Sequence, residues 1–230
     1  MTLWGKFTTS IWLFLRVGAC EVLSSFYTCE KSATFAVAMT TDLCLEIAGV
    51  LVGLLYLYYE YKASALLWIA GVIMPALSLV VYYNAGLYAD LAINIYYMFA
   101  AVYGWVAWQF YKKDDKPAEM PILTMPRPYY VPAALATVAL TATLSFVLIM
   151  FTDSTVPLWD SFTTALSVVA MWMLARKFVE QWLVWVVVDV VSSGLYIYKE
   201  IYFYAALYAL YAAVAVFGYI NWKKMMHAND

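Results

Sequence analysis

Residues 181–198 read QWLVWVVVDVVSSGLYIY, an apolar run of bilayer-spanning length that carries one carboxylate, Asp189, at its middle. Similar stretches recur near 43–60, 65–84, 88–111, 129–151, 158–176 and 201–222, so the chain is expected to be an all-α polytopic membrane protein with seven spans. The composition agrees: of 230 residues 66% are hydrophobic and 12% charged, against about 25% charged in soluble domains. A water-soluble fold has no way to hide that much apolar surface. The 13 Lys and Arg nearly cancel the 15 Asp and Glu and form no basic stripe, which excludes nucleic acid as a partner.

Cys20, Cys29 and Cys44 form no CxxC, and the single histidine, His227, lies beside the C-terminus, so neither a metal site nor a cofactor is expected. The spans offer no histidine base and no HExxH or GxSxG motif, which argues against an intramembrane enzyme. A channel or non-transporting membrane subunit stays as a remote alternative, although a pore would be lined by repeated small or charged residues.

A shift of 114 residues, without a gap, lays Trp68 on Trp182, Tyr82 on Tyr196, Tyr97 on Tyr211, Gly104 on Gly218 and Trp108 on Trp222. One offset holding over three consecutive spans predicts an internal duplication. Three is odd, so two units fused directly would be inverted, and the extra span at 129–151 restores the same orientation to both. The expected architecture is a seven-span 3+1+3 core with parallel repeats. Its parts are a first repeat at 43–111, a linker at 112–128, a connecting span at 129–151, a second repeat at 158–222 and a tail at 223–230. Residues 1–42 read as either an interfacial helix or an extra span, with Arg16 and Glu21 inside their apolar part. The proline- and charge-rich linker is expected to bury no apolar face.

Lys62, Lys112, Lys113, Lys116, Arg127, Arg176, Lys177, Lys223 and Lys224 all fall on one side of this seven-span plan, whereas the other side's loops have only Lys199. The positive-inside rule then makes the linker and the C-terminus cytoplasmic.

Charges and amides inside a membrane tend to face a cavity or a partner helix. Trp182, Trp185, Asp189, Ser192, Ser193 and Tyr196 recur at three- and four-residue spacing, a stripe able to sandwich a flat cationic ring between indoles with a carboxylate as counter-charge. Packing alone would also account for it, with Trp182 in an interfacial belt. Asn94 and Tyr97 repeat the pattern on the span from 88 to 111, and Asp160 and Thr164 lie on a polar strip that either binds substrate or ties helices together. Pro75 is expected to kink its helix.

With both halves in view, the chain resembles the PnuC family of bacterial vitamin transporters. The resemblance rests on YGWVAW at 103–108, WDS at 159–161, ARK at 175–177 and QWLVW at 181–185, and covers roughly residues 43–224. It implies a fold like an enlarged SWEET-type transporter, a homotrimer in the bacterial inner membrane, and facilitated diffusion of a vitamin that a cytoplasmic kinase then traps. Nicotinamide riboside and, in the PnuT branch, thiamine are the implied substrates. Riboside carriers typically have Gln where Asn94 stands and Asn where Ala101 and Asp189 stand. A carboxylate at 189 suits an aminopyrimidine and a thiazolium, so the sequence favours thiamine over nicotinamide riboside.

Overall fold

The computed structural model describes residues 52–84, 88–113, 116–117, 119–151 and 156–228. Seven α-helices lie among the described residues: α1 at 52–61, α2 Leu66–Asn84, α3 Tyr88–Gln109, α4 Tyr130–Phe151, α5 Pro157–Ala175, α6 Gln181–Tyr198 and α7 Tyr202–Ala228. The choice between interfacial helix and extra span for residues 1–42 lies outside the described residues. α2 runs as one helix across Pro75. α2 packs on α3 and α6 on α7, while α5 touches α3, α4 and α6 and so joins the halves. Its buried residues mix large apolar side chains (Met171, Met173, Leu174) with small or hydroxylic ones (Ser161, Ala165, Ser167, Ala170, Ala175), and the latter let neighbouring backbones approach closely.

Helices α5, α6 and α7, together with Arg127–Phe151, are long and apolar enough to cross a membrane. α4 makes the strongest case for lipid around it. Its Val131, Leu135, Val138, Phe146, Ile149 and Phe151 are exposed, whereas its buried residues are Thr137 and Ser145. That pattern is the reverse of a soluble helix and is stable where the surroundings are as apolar as leucine.

The turn after α1 and the turn after α5 have the same backbone structure. In the first, Lys62, Ala63 and Ser64 donate their N–H groups to the carbonyls of Tyr58, Glu60 and Tyr59, and Leu67 and Trp68 donate to Ser64 and Ala65. In the second, Arg176, Lys177 and Phe178 donate to Trp172, Leu174 and Met173, and Gln181 and Trp182 donate to Phe178 and Val179. Every bond recurs 114 positions later. Ala63 and Lys177 take up the left-handed conformation that ends each helix, with φ of 51° and 52°.

The tryptophans repeat as well. Trp68 lies against Gly104 and edge-on to Trp108, 5.4 Å between centroids; Trp182 lies against Gly218 and edge-on to Trp222 at 5.7 Å. Trp108 and Trp222 meet at 6.4 Å, so four indoles form one cluster across the halves. Each of these two also reaches into the opposite half: Trp108 Nε1 donates to the Ala175 carbonyl (3.1 Å) and Trp222 Nε1 to that of Glu60 (2.9 Å).

The basic segments gather at this end. Asn221 Nδ2 donates to the Tyr61 carbonyl, and the linker lies along the α5–α6 turn. Lys199 sits at the other end, paired with Asp160 at 3.5 Å.

The linker departs from expectation, because it does bury apolar side chains. Ile122 and Met125 are buried, Leu123 exchanges backbone hydrogen bonds with Lys177 and Val179, and the Glu180 carboxylate accepts the Met125 N–H at 2.9 Å. The backbone N–H and C=O of Leu123 complete the exposed edge of the turn, a pairing that charge and proline counting does not reveal. Lys177 is buried beneath this strap, its Nζ 4.3 Å above the Trp108 ring. Burial pushes the Lys177 ammonium below its ordinary pKa, with Glu119 acting in the opposite direction. Glu180→Gln keeps the shape of the strap's anchor but removes its charge, so we expect a stability loss of about 1 kcal/mol. Thermal unfolding checks this; an unchanged midpoint with unchanged protease resistance of the linker would show that the strap holds without Glu180.

Candidate functional site

The site is built on one face of α6. Residues at i, i+4 and i+7 share a helical face, and here Trp185, Asp189 and Ser192 are all buried, with Trp182 and Tyr196 continuing the line at either end. Asp189 is 4% exposed and Ser192 2% exposed. Asp189 Oδ1 and Ser192 Oγ find no hydrogen-bond partner among the described residues. Such groups lose water without recovering a partner, a cost of about 1–3 kcal/mol each that a ligand can recover.

The predicted residues divide by what they touch. Asp189, Ser192 and Trp185 stay together on the buried face. Tyr196 is already held between two rings of α7, stacked on Tyr204 at 5.3 Å and on Tyr208 at 5.1 Å. Asn94 and Tyr97 are buried on α3, Tyr97 beside Tyr96 at 5.7 Å, and the Tyr96 hydroxyl donates to the Val168 carbonyl of α5.

Three residues have other partners. Trp182 is fully buried against Gly218 and Trp222, so its indole faces are taken up by the protein. Thr164 donates its hydroxyl to the Asp160 carbonyl one turn back, at 2.7 Å. Asp160 pairs with Lys199 at the end of α5, about a quarter exposed. In a helix of this length, a hydroxyl bonded to its own backbone and a carboxylate at the mouth are tied locally.

Two neighbours of the site escape sequence reading. Glu60 is 4% exposed, and its Oε1 accepts from Gln181 Nε2 at 3.3 Å. Each stands at the end of its helix beside charged residues, where a polar side chain ordinarily meets water, so no periodicity marks them. An open apolar groove of about 230 Å³ between α2 and α3, lined by Trp68, Ile69, Val72, Ile73, Val102 and Trp105, has no polar group to orient a vitamin.

A multi-pass helical membrane protein with buried, unpartnered polar atoms on an aromatic helix face is the class these features define. The family model described as nicotinamide mononucleotide transporter matches residues 43–224, and the chain belongs to that family. It is similar to the nicotinamide riboside transporter PnuC of Escherichia coli (strain K12), 27% identical over 202 residues that cover 77% of this chain and 84% of that protein. It is also similar to the nicotinamide riboside transporter PnuC of Neisseria mucosa, 24% identical over 94% of this chain and 81% of the other. The riboflavin/roseoflavin transporter RibM of Streptomyces davaonensis matches at 27% over 54% of this chain and 59% of its own. The crystal structure of the vitamin B3 transporter PnuC has the same fold, with a TM-score of 0.60 at 22% identity, covering 85% of this chain and 88% of that one.

Proposed function

We propose that this chain carries nicotinamide riboside into the cell by facilitated diffusion, through a site on the inner face of α6. The observation that carries this is that Asp189 Oδ1 and Ser192 Oγ are buried without a hydrogen-bond partner among the described residues, on the same face of α6 as Trp185. A substrate with hydroxyl donors and a cationic aromatic ring supplies both partners at once: donors for the two oxygens, positive charge for the carboxylate and the indole face. The names of the relatives support the riboside over thiamine, the vitamin favoured from sequence. Thiamine remains the second reading, on the strength of a carboxylate at 189.

The same proposal takes the core as a 3+1+3 arrangement of parallel repeats, SWEET-like, supported by the turn hydrogen bonds and Trp–Gly packing that recur at an offset of 114. The gathering of basic segments at one end supports that end and the C-terminus being cytoplasmic, and a bacterial inner membrane is what the family resemblance adds. A homotrimer and a cytoplasmic kinase that traps the vitamin are what the family resemblance adds. Asn94 and Tyr97 are proposed to line the path from α3; Trp182, Asp160, Thr164 and Tyr196 are proposed to support the site's walls.

Titration of purified protein with nicotinamide riboside and thiamine side by side tests the assignment. Trp185→Leu retains apolar volume and removes the ring face, so riboside binding is expected to weaken by about 0.5–2 kcal/mol. Unchanged affinity in the folded variant removes Trp185 from the site, binding of neither vitamin defeats the proposed substrate class, and uptake that fails to saturate favours a channel.

A further inference from the structure

The apolar groove between α2 and α3 has no part in the vitamin site. Ile69 and Ile73 stand on one side of it and Val102 and Trp105 on the other, all between 41% and 49% exposed, with wholly buried Trp68 at its base. Trp68 reaches that depth because Gly104 has no side chain, and Gly71 and Ala101 are small enough to keep α2 close to α3. Helices α2 and α3 are the counterparts, 114 positions earlier, of α6 and α7, which are long and apolar enough to cross a membrane. The groove therefore opens onto lipid. Left empty there, its walls would forgo the dispersion contacts that an acyl chain supplies.

Charge marks one end of it. Trp68 and Ile69 lie in the first turn of α2 and Trp105 near the end of α3, so the groove starts where the basic segments gather. Lys62 precedes α2 by four residues and Lys112 follows α3 by three, and both are exposed. The Lys62 ammonium rests 4.9 Å from the half-exposed ring of Tyr58, within reach of an anion in solvent. Lys112 and Lys113 pair with Lys116 and Pro117 in a short hairpin, so three lysines outnumber the two aspartates between them in sequence. The second half is finished differently. Tyr219, the counterpart of Trp105, has Lys223 5.4 Å from its ring and donating to its hydroxyl, and the strap of Ile122 and Met125 lies along the α5–α6 turn.

We propose that the α2–α3 groove seats one acyl chain of an anionic phospholipid whose headgroup phosphate is held by Lys62 and Lys112. The inference stands apart from the identity of the vitamin and uses no residue of the α6 site. Chemistry separates its two ends: apolar walls accept hydrocarbon alone, while two ammonium groups at the mouth select a negative headgroup over a zwitterionic one. A volume of about 230 Å³ lined by six side chains suits a single chain. A second copy of the protein would need about 800 Å² of surface on each partner, a much broader face than this groove.

Bromine on an acyl chain quenches indole fluorescence at contact, and Trp105 and Trp68 line the groove. The full chain is reconstituted in phosphatidylcholine vesicles that contain, at the same low fraction, brominated phosphatidylglycerol or brominated phosphatidylcholine. Phosphatidylglycerol is expected to quench in excess, with an apparent affinity higher by about fivefold per lysine. Trp105→Phe should reduce that excess, and Lys62→Gln/Lys112→Gln should remove it. Ile73→Phe/Val102→Phe fills the groove from two exposed positions, so it should remove the excess while the melting temperature stays unchanged. Equal quenching by the two lipids, which a second copy seated in the groove would also give, overturns the proposal. An excess that survives in the lysine variant or in the filled groove places the lipid elsewhere and overturns it as well.

Discussion

Asp189→Asn is expected to raise the dissociation constant for nicotinamide riboside by roughly 10- to 150-fold, the equivalent of about 1.5–3 kcal/mol for a hydrogen bond to a charged group. The side chain keeps its size, so packing on α6 is retained, and the amide still offers one acceptor to a hydroxyl. What disappears is the counter-charge, in surroundings where burial keeps water from replacing it. Thiamine, with an amino group as well as a ring cation, should lose at least as much. Calorimetric titration of both vitamins into wild type and variant measures the effect, with thermal unfolding to show that the variant is folded. Equal affinity in the two proteins would mean that Asp189 does not face the substrate.

The second large effect is on stability. A Cβ at Gly104 would come within 2.3 Å of the Trp68 ring, and one at Gly218 within 2.6 Å of the Trp182 ring. Both indoles are buried, and each is pinned edge-on by a second tryptophan, so neither can swing away without disturbing the four-ring cluster. Gly104→Ala and Gly218→Ala are each expected to cost about 1–3 kcal/mol, as overpacked cores do. In a chain of this size each kcal/mol lowers the melting temperature by roughly 2–4 °C. Gly194→Ala is the control, because its added Cβ meets nothing within 4 Å. If all three variants melt alike, the close approach of indole to backbone is not what holds these helices together.

The division between helices was legible in the sequence because bilayer thickness imposes a length on every span, and the offset of 114 was legible because large aromatic residues mark their equivalents. Periodicity also placed Trp185, Asp189 and Ser192 on one face, since a face follows from spacing alone. Which face residues stay open to a ligand depends on what arrives from the rest of the chain, and only the tertiary structure decided that. Trp182 and Trp185 are three residues apart on one stripe, yet Gly218 admits Trp222 and the α7 backbone against the first, filling the space around it. Thr164 and Ser192 are both hydroxyls on inward faces, but one bonds its own helix and the other has no partner. Glu60 and Gln181 are 121 positions apart in sequence and meet because the ends of α1 and α6 converge beneath the indole cluster. The linker's composition announced a polar segment, whereas its two buried side chains and its bridge to the α5–α6 turn follow from an unpaired backbone edge that exists only once that turn has formed.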